Sequence, residues 1–294
     1  ARGGMAAAAE RRRQPYAPWV LQGPKEPPPE APRLRLFCIP QAGMGAWAFH
    51  GWQDALAGGC PGVEVMPVEL PGRNSRLGEP AERCMPRLVA RLADALAPEV
   101  RRAPYVLLGH SMGGWVAFEL ARELRRRGEP EPAHVYVSAV RAPHLCGKEH
   151  DLDPVRLSEQ PFEGFWRHFF RRYGPNPDLE HPAVQKRLFP LLHADFALLE
   201  GYVYSPSPDE ASDRFPLTAW GATEDNRYTP EQLGAWRRQS NIGGGGGGEG
   251  GAREGPGLGP EDMAVFHWLS LGIVAAGGVA SIALFHAALW GHER

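Results

Sequence analysis

A chain of 294 residues with 43% hydrophobic content is long enough for one sizeable α/β domain with its own core, or one domain plus appendages. Its formal net charge of −2 gives no electrostatic footprint for nucleic acid, so no nucleic-acid partner is expected. The 4 cysteines, Cys38, Cys60, Cys84 and Cys146, are scattered without a CxxC pair or metal-ligand spacing, which predicts reduced thiols and no metal.

Residues 1–32 are dominated by Ala, Arg and Pro ("AAAAERRRQ", "GPKEPPPEAP") and offer little to bury, so a mostly disordered leader is predicted. An Arg- and Ala-rich start also suits an organelle transit peptide, but Glu10 and the shortage of serines argue against one. Met5 is a candidate true start.

Residues 33–240 alternate between strand and helix patterns. "LRLFCIP" and "VEVMPVEL" are short apolar runs ended by Pro or Gly, as buried strands are. Between Glu82 and Ala97, Leu88, Leu92 and Leu96 recur every fourth residue and share one helical face. "YVLLG" is another strand, and the helix after it carries Val116, Leu120 and Leu124 in register, with Gly128 as its stop. "HVYVSAV" and "FPLTAWG" add further strands. Such alternation predicts an α/β fold with a mainly parallel central sheet and helices on both faces.

After Ser240 the composition changes abruptly. Residues 241–262 read as a Gly-rich flexible linker. Residues 263–290 carry no Asp, Glu, Lys or Arg, which is long enough for a transmembrane helix crossing a bilayer core of about 30 Å. Trp268 and Trp290 near its ends suit the interfacial belts. A genuine C-terminus of this kind predicts membrane anchoring with the α/β domain facing the cytosol; otherwise a cytoplasmic protein is expected.

The chemistry concentrates at "YVLLGHSMGGWVAFELARELRRRG". Ser111 lies between Gly109 and Gly113 in a G-x-S-x-G motif, with an apolar strand running into it and an amphipathic helix leaving it. A serine on such a strand-to-helix turn is a nucleophile candidate. The Met112 N–H is then one oxyanion donor, at a helix N-terminus whose potential favours negative charge. A second donor is expected from the loop after an early strand; in "FCIPQAGMGAWAFHGW" the Ala42 N–H is the candidate, with Gly43 and Gly45 giving room for substrate.

Here the chain resembles a known family. "LFCIPQAG", "VELPGR", "GHSMGG", "SAVRAPHL", "LLHADFALLEGYVY" and "TAWGATEDNRYTPEQLGAWRRQS" follow the order and spacing of type II thioesterases, over roughly Leu34 to Ser240. These are α/β-hydrolases serving polyketide, nonribosomal-peptide and fatty-acid synthases. The resemblance implies hydrolysis of acyl thioesters on the phosphopantetheine arm of an acyl carrier protein or synthase carrier domain, with no dissociable cofactor. It also implies a helical lid over an acyl pocket at about 151–202, where "PFEGFWRHFFRRYG" has a substrate-lining, lid or core-packing role. Asp225 matches the family's acid position, with Glu224 as the fallback; a plain turn role also suits Asp before Asn.

The base is missing from this pattern. The fold orders its triad Ser, then Asp or Glu, then His. The resemblance places the histidine shortly after "AWRRQS", where this chain has glycines. Only His267, His286 and His292 follow Asp225, within or beyond the apolar segment. His110 and His144 resemble family positions outside the triad, and His193 falls where the family usually has arginine. His50, His134, His150, His168 and His181 lie on the wrong segments. No catalytic histidine is identified, and the final strand and helix of the sheet are expected to be missing. Two explanations are open: a C-terminus replaced through a retained intron or gene fusion, which is favoured, or a membrane-tethered relative that has lost catalysis. Rival readings are therefore a catalytically impaired acyl or carrier-protein binding module, and a carboxylester hydrolase of the same fold.

Overall fold

The apolar runs become strands where the pattern places them. A computed structural model describes residues 19–20, 32–57, 62–208, 214–221 and 225–240. Within them lie β1 (Leu34–Ile39), β2 (Val63–Pro67), β3 (Tyr105–His110), β4 (His134–Ser138) and β5 (Leu217–Trp220). Every pairing is parallel and the order is β2-β1-β3-β4-β5. Pro67, which has no N–H to give a ladder, falls on the edge strand, where that lack is tolerated.

The crossovers are helical. They comprise α1 (Trp52–Ala57), α2 (Met85–Val100), α3 (Met112–Arg126), then α4 (Phe162–Tyr173) and α5 (Pro182–Glu200) between β4 and β5. A short α6 (Pro230–Gly234) follows, begun by a capping box between Thr229 and Gln232. Period-two alternation sorts the strand side chains between two layers. Phe37, Ile39, Leu107, Val135 and Val137 pack with α2 and α3 residues such as Leu92 and Val116. Leu36, Cys38, Val65, Val106 and Leu108 pack instead with Phe49, Trp52 and Leu56 around α1. Helices thus cover both faces, as a parallel sheet requires.

The predicted leader needs one correction. Trp19 and Val20 are buried, Val20 bridges to Val68 in antiparallel fashion, and the Glu69 N–H donates to the Trp19 carbonyl at 2.7 Å. The Trp19 ring has the Arg76 guanidinium 3.7 Å from its centre. Two apolar residues within a polar leader thus dock beside the chain that leaves β2. At the other edge, Ser240 forms a parallel bridge with Phe215 and its hydroxyl donates to the Leu217 carbonyl. Among the described residues no helix is long and apolar enough to cross a membrane. The linker at 241–262 and the apolar segment at 263–290 lie outside the described residues.

One buried ion cluster fastens β1 to its neighbours. Arg35 donates to Glu64 of β2 at 2.8 Å and to Glu99 of α2 at 2.9 Å, with all three side chains within a few per cent of full burial. Burial raises the Glu99 carboxyl above its ordinary pKa, against the pull of Arg102 and Arg35. Removing the cation takes one buried charge partner from each carboxylate, Glu99 keeping Arg102 at 3.1 Å, so Arg35→Met should destabilise the chain by about 3 kcal/mol in urea unfolding. The Arg101–Glu129 pair, whose guanidinium is exposed, is the control, and Arg101→Met should shift the midpoint far less.

Candidate active site

Ser111 sits between the last residue of β3 and the first of α3 with φ +52° and ψ −117°, a conformation that side-chain-bearing residues rarely adopt. The strain is held from several sides. The Ser111 N–H donates to the Ser138 carbonyl at 2.7 Å, and its carbonyl accepts from Gly114 at 2.8 Å. The flanking glycines are required by close approach. A Cβ on Gly109 would lie 1.9 Å from the Gly113 oxygen, one on Gly113 2.2 Å from the Ile39 oxygen, and one on Gly114 2.6 Å from Val140. The turn is therefore wedged against the end of β1, with the serine at the positive end of a 15-residue helix.

Ser111 opens into a cavity of about 880 Å³ that Met112, Ala42, His110 and Asp225 also line. The far wall is apolar and comes from α4 and α5, including Phe169, Leu188, Leu192 and Phe196. The aromatic run of α4 divides its work: Phe165 is fully buried in a satellite core, whereas Phe169 and Tyr173 reach the cavity. Segment 151–202 thus walls the cavity.

The loop after β1 uses its amides unequally. Gly43 donates to the Asp195 carboxylate at 2.7 Å and Met44 to the Gln41 carbonyl at 3.2 Å. Ala42 is left with no backbone acceptor for its N–H among the described residues, at the cavity wall. Gly43 lines the cavity, and at both Gly43 and Gly45 the protein itself also comes close. A Cβ on Gly43 (φ +77°) would meet Leu192 at 2.5 Å, and one on Gly45 would meet Glu69 at 2.2 Å.

Asp225 accepts the Arg227 N–H at 2.8 Å, a turn contact, while facing the same cavity. The loop bearing Asp225 is tied across to segment 151–202, because the Arg227 guanidinium donates to Asp151 at 2.8 Å and Arg141 holds the other Asp151 oxygen at 3.3 Å. Burial works against the Asp151 charge, yet Arg227 and Arg141 keep its carboxyl below the usual range. Glu224, the fallback acid, lies outside the described residues.

His110 is the one imidazole among the described residues lining the cavity. Its Nδ1 pairs with the Ser138 hydroxyl at 3.1 Å. Burial pushes its pKa down to about 4, outweighing the upward pull of the Asp225 charge, so the ring is neutral at physiological pH and a weak base. His144 pairs with Gln239, and His193 packs tilted against Phe165 and Phe189 beside Arg83. His267, His286 and His292 lie outside the described residues.

Three charged residues packed against the loop after β1 carried no role in the sequence reading: Asp195, Arg73 and Glu69. Asp195 and Glu69 are almost wholly buried, and Glu69 keeps one carboxylate oxygen without a partner. The signal was an acid, Asp195, set among the apolar residues of "LLHADFALL" and an arginine closing "VELPGR".

A family model described as a thioesterase domain matches residues 34–243. The chain is 35% identical over 212 residues to the gramicidin S biosynthesis protein GrsT of Aneurinibacillus migulanus, covering 71% of this chain and 78% of that one. It is 30% identical over 217 residues to the medium-chain S-acyl fatty acid synthase thioesterase of Homo sapiens, covering 71% and 75%. Among solved structures, the RedJ thioesterase from the prodiginine biosynthetic pathway in Streptomyces coelicolor aligns with TM-score 0.64 at 37% identity, covering 78% of this chain and 87% of that one.

The strain at Ser111 has a measurable signature. Ser111→Gly relieves an unfavourable backbone conformation that costs of order 1–3 kcal/mol, so it should raise the unfolding midpoint while removing the hydroxyl. A lower midpoint in thermal unfolding would show that the turn is not strained.

Proposed function

The chain belongs to the thioesterase domain family, with type II thioesterases among its relatives, and on that premise we propose that it hydrolyses acyl thioesters carried on the phosphopantetheine arms of carrier proteins, with Ser111 as nucleophile. The observation that supports this most is the convergence of Ser111, Met112, Ala42 and Asp225 on one cavity with an apolar wall. That wall suits an acyl chain, and the volume falls in the range of small-molecule sites. The fatty-acid and peptide-synthase relatives both support a carrier-bound acyl substrate.

In this mechanism Ser111 Oγ attacks the thioester carbonyl carbon. The Met112 and Ala42 N–H groups receive the oxyanion of the tetrahedral intermediate. Its collapse breaks the C–S bond, the pantetheine thiol leaves with a proton, and the acyl group stays on Ser111. Water then attacks the acyl-serine and the acid is released. Asp225 takes the part of the acid that would orient and stabilise a protonated base beside Ser111. No metal or dissociable cofactor enters this scheme.

The proton from Ser111 needs an acceptor within about 2.6–3.2 Å, directly or through one water. Among the described cavity residues only the neutral, weakly basic His110 offers an imidazole. On those residues alone, turnover is limited to the residual that an oxyanion hole and substrate binding give, near 10³–10⁴ over water. That same observation favours the second reading, an acyl or carrier-protein binding module that does not turn over.

Hydrolysis of acyl-pantetheine thioesters by the full chain, set beside the matching oxygen esters, separates the readings. Ser111→Ala should abolish a thioester activity that exceeds the oxygen-ester activity. Wild-type and Ser111→Ala proteins that bind acyl-pantetheine equally and hydrolyse nothing would establish the binding module. An oxygen ester turned over faster than its thioester would make the protein a carboxylester hydrolase.

A further inference from the structure

We propose that Asp195 and Arg73 form a positioning clamp on the loop after β1, setting the Ala42 amide at the cavity; the inference rests on the thioesterase reading for the use made of that amide.

The clamp is assembled from distant elements. Asp195 stands on α5, and its Oδ2 accepts both the Gly43 N–H at 2.7 Å and Arg73 Nη1 at 3.1 Å. Its Oδ1 accepts Arg73 Nη2 at 2.8 Å, so carboxylate and guanidinium meet fork to fork. The same Arg73 Nη1 donates to the Met44 carbonyl at 2.8 Å. The pair therefore grips the N–H of Gly43 and the C=O of Met44 at once. Both charged side chains are within a few per cent of full burial.

Packing reinforces the grip. Leu192, one turn before Asp195 on α5, fills the space where a Gly43 side chain would stand. At Gly45 the Glu69 carboxylate, itself held by Asn74, takes the corresponding space. Glycine at φ +77° is the residue most able to let its peptide reorient, and the Asp195 bond to the Gly43 N–H fixes the peptide that joins it to Ala42.

Stability alone gives little reason for such a pair, since a buried ion pair is commonly matched by apolar residues of equal volume. What it provides is direction. By committing the Gly43 and Met44 polar groups inward, it leaves Ala42 as the amide presented to substrate. Asp195 and Arg73 touch no reacting atom in this arrangement; they act through the loop.

The test uses the full chain with Asp195→Asn, which keeps an acceptor but loses the charge, and Arg73→Lys, which keeps the charge but loses the fork. Three readouts are taken: amide hydrogen exchange at Gly43 and Met44 relative to β3 amides, kcat and KM on an acyl-pantetheine thioester, and affinity for an alkyl boronic acid. Exchange at Gly43 and Met44 should rise at least tenfold more than in β3. At the scale by which small misplacements slow catalysis, kcat should fall about tenfold to a hundredfold with KM little changed, and boronate affinity should fall in parallel. Exchange that rises equally everywhere, or a KM that rises while kcat holds, overturns the clamp. If the wild-type chain neither hydrolyses the thioester nor takes the boronate, the thioesterase reading fails, and the clamp stands or falls on the Gly43 exchange alone.

Discussion

Close backbone contact between the first turn of α3 and the end of β1 is the constraint on which the site depends. Ser111 can hold a backbone conformation foreign to serine only because its amide and carbonyl are bonded on opposite sides and the glycines beside it admit no side chain. The Gly113 contact with Ile39 brings the carboxyl end of β3 against that of β1. That is the crevice where open α/β sheets place their ligands. The Ser111 turn and the loop bearing Ala42 are therefore neighbours as a consequence of strand order. The cavity then needs only a roof, which α4 and α5 supply.

Much of this was legible in the residues. Leu34–Ile39 and Tyr105–His110 read as buried strands because both faces of a parallel sheet are covered, leaving continuous apolar runs. The helix after Ser111 was legible from its four-residue apolar spacing and from Gly128, which takes φ +72° where the helix stops. Ser111, Met112, Ala42 and Asp225 were all singled out from sequence, and they meet in one cavity.

The rest was hidden for physical reasons. Period and propensity report on burial, whereas the direction of a polar side chain depends on partners far away in sequence. Asp195 pairs across 122 residues with Arg73 and across 152 with Gly43, and nothing local marks it. Gly43 and Gly45 looked like space for a ligand, because a glycine shows only that something comes close. At these two positions the visitors are Leu192 and Glu69. Trp19 and Val20 were concealed by the composition of the 30 residues around them, since an averaged window cannot show that two apolar side chains suffice to dock a leader.

That docking bears on how the molecule avoids its own kind. β2 is an outer strand, and a bare outer strand is a template on which another chain can build. Val20 occupies the rim beside Val68, and Trp19 lies under Arg76 with Arg91 also over its ring. Trp19 and Val20 thus work as a selvedge at the Val68–Glu69 end of that margin, taking up hydrogen-bonding groups there. A shortened chain beginning at Pro32 would keep every strand and every cavity residue and still lose that finish, making self-association the first property to change.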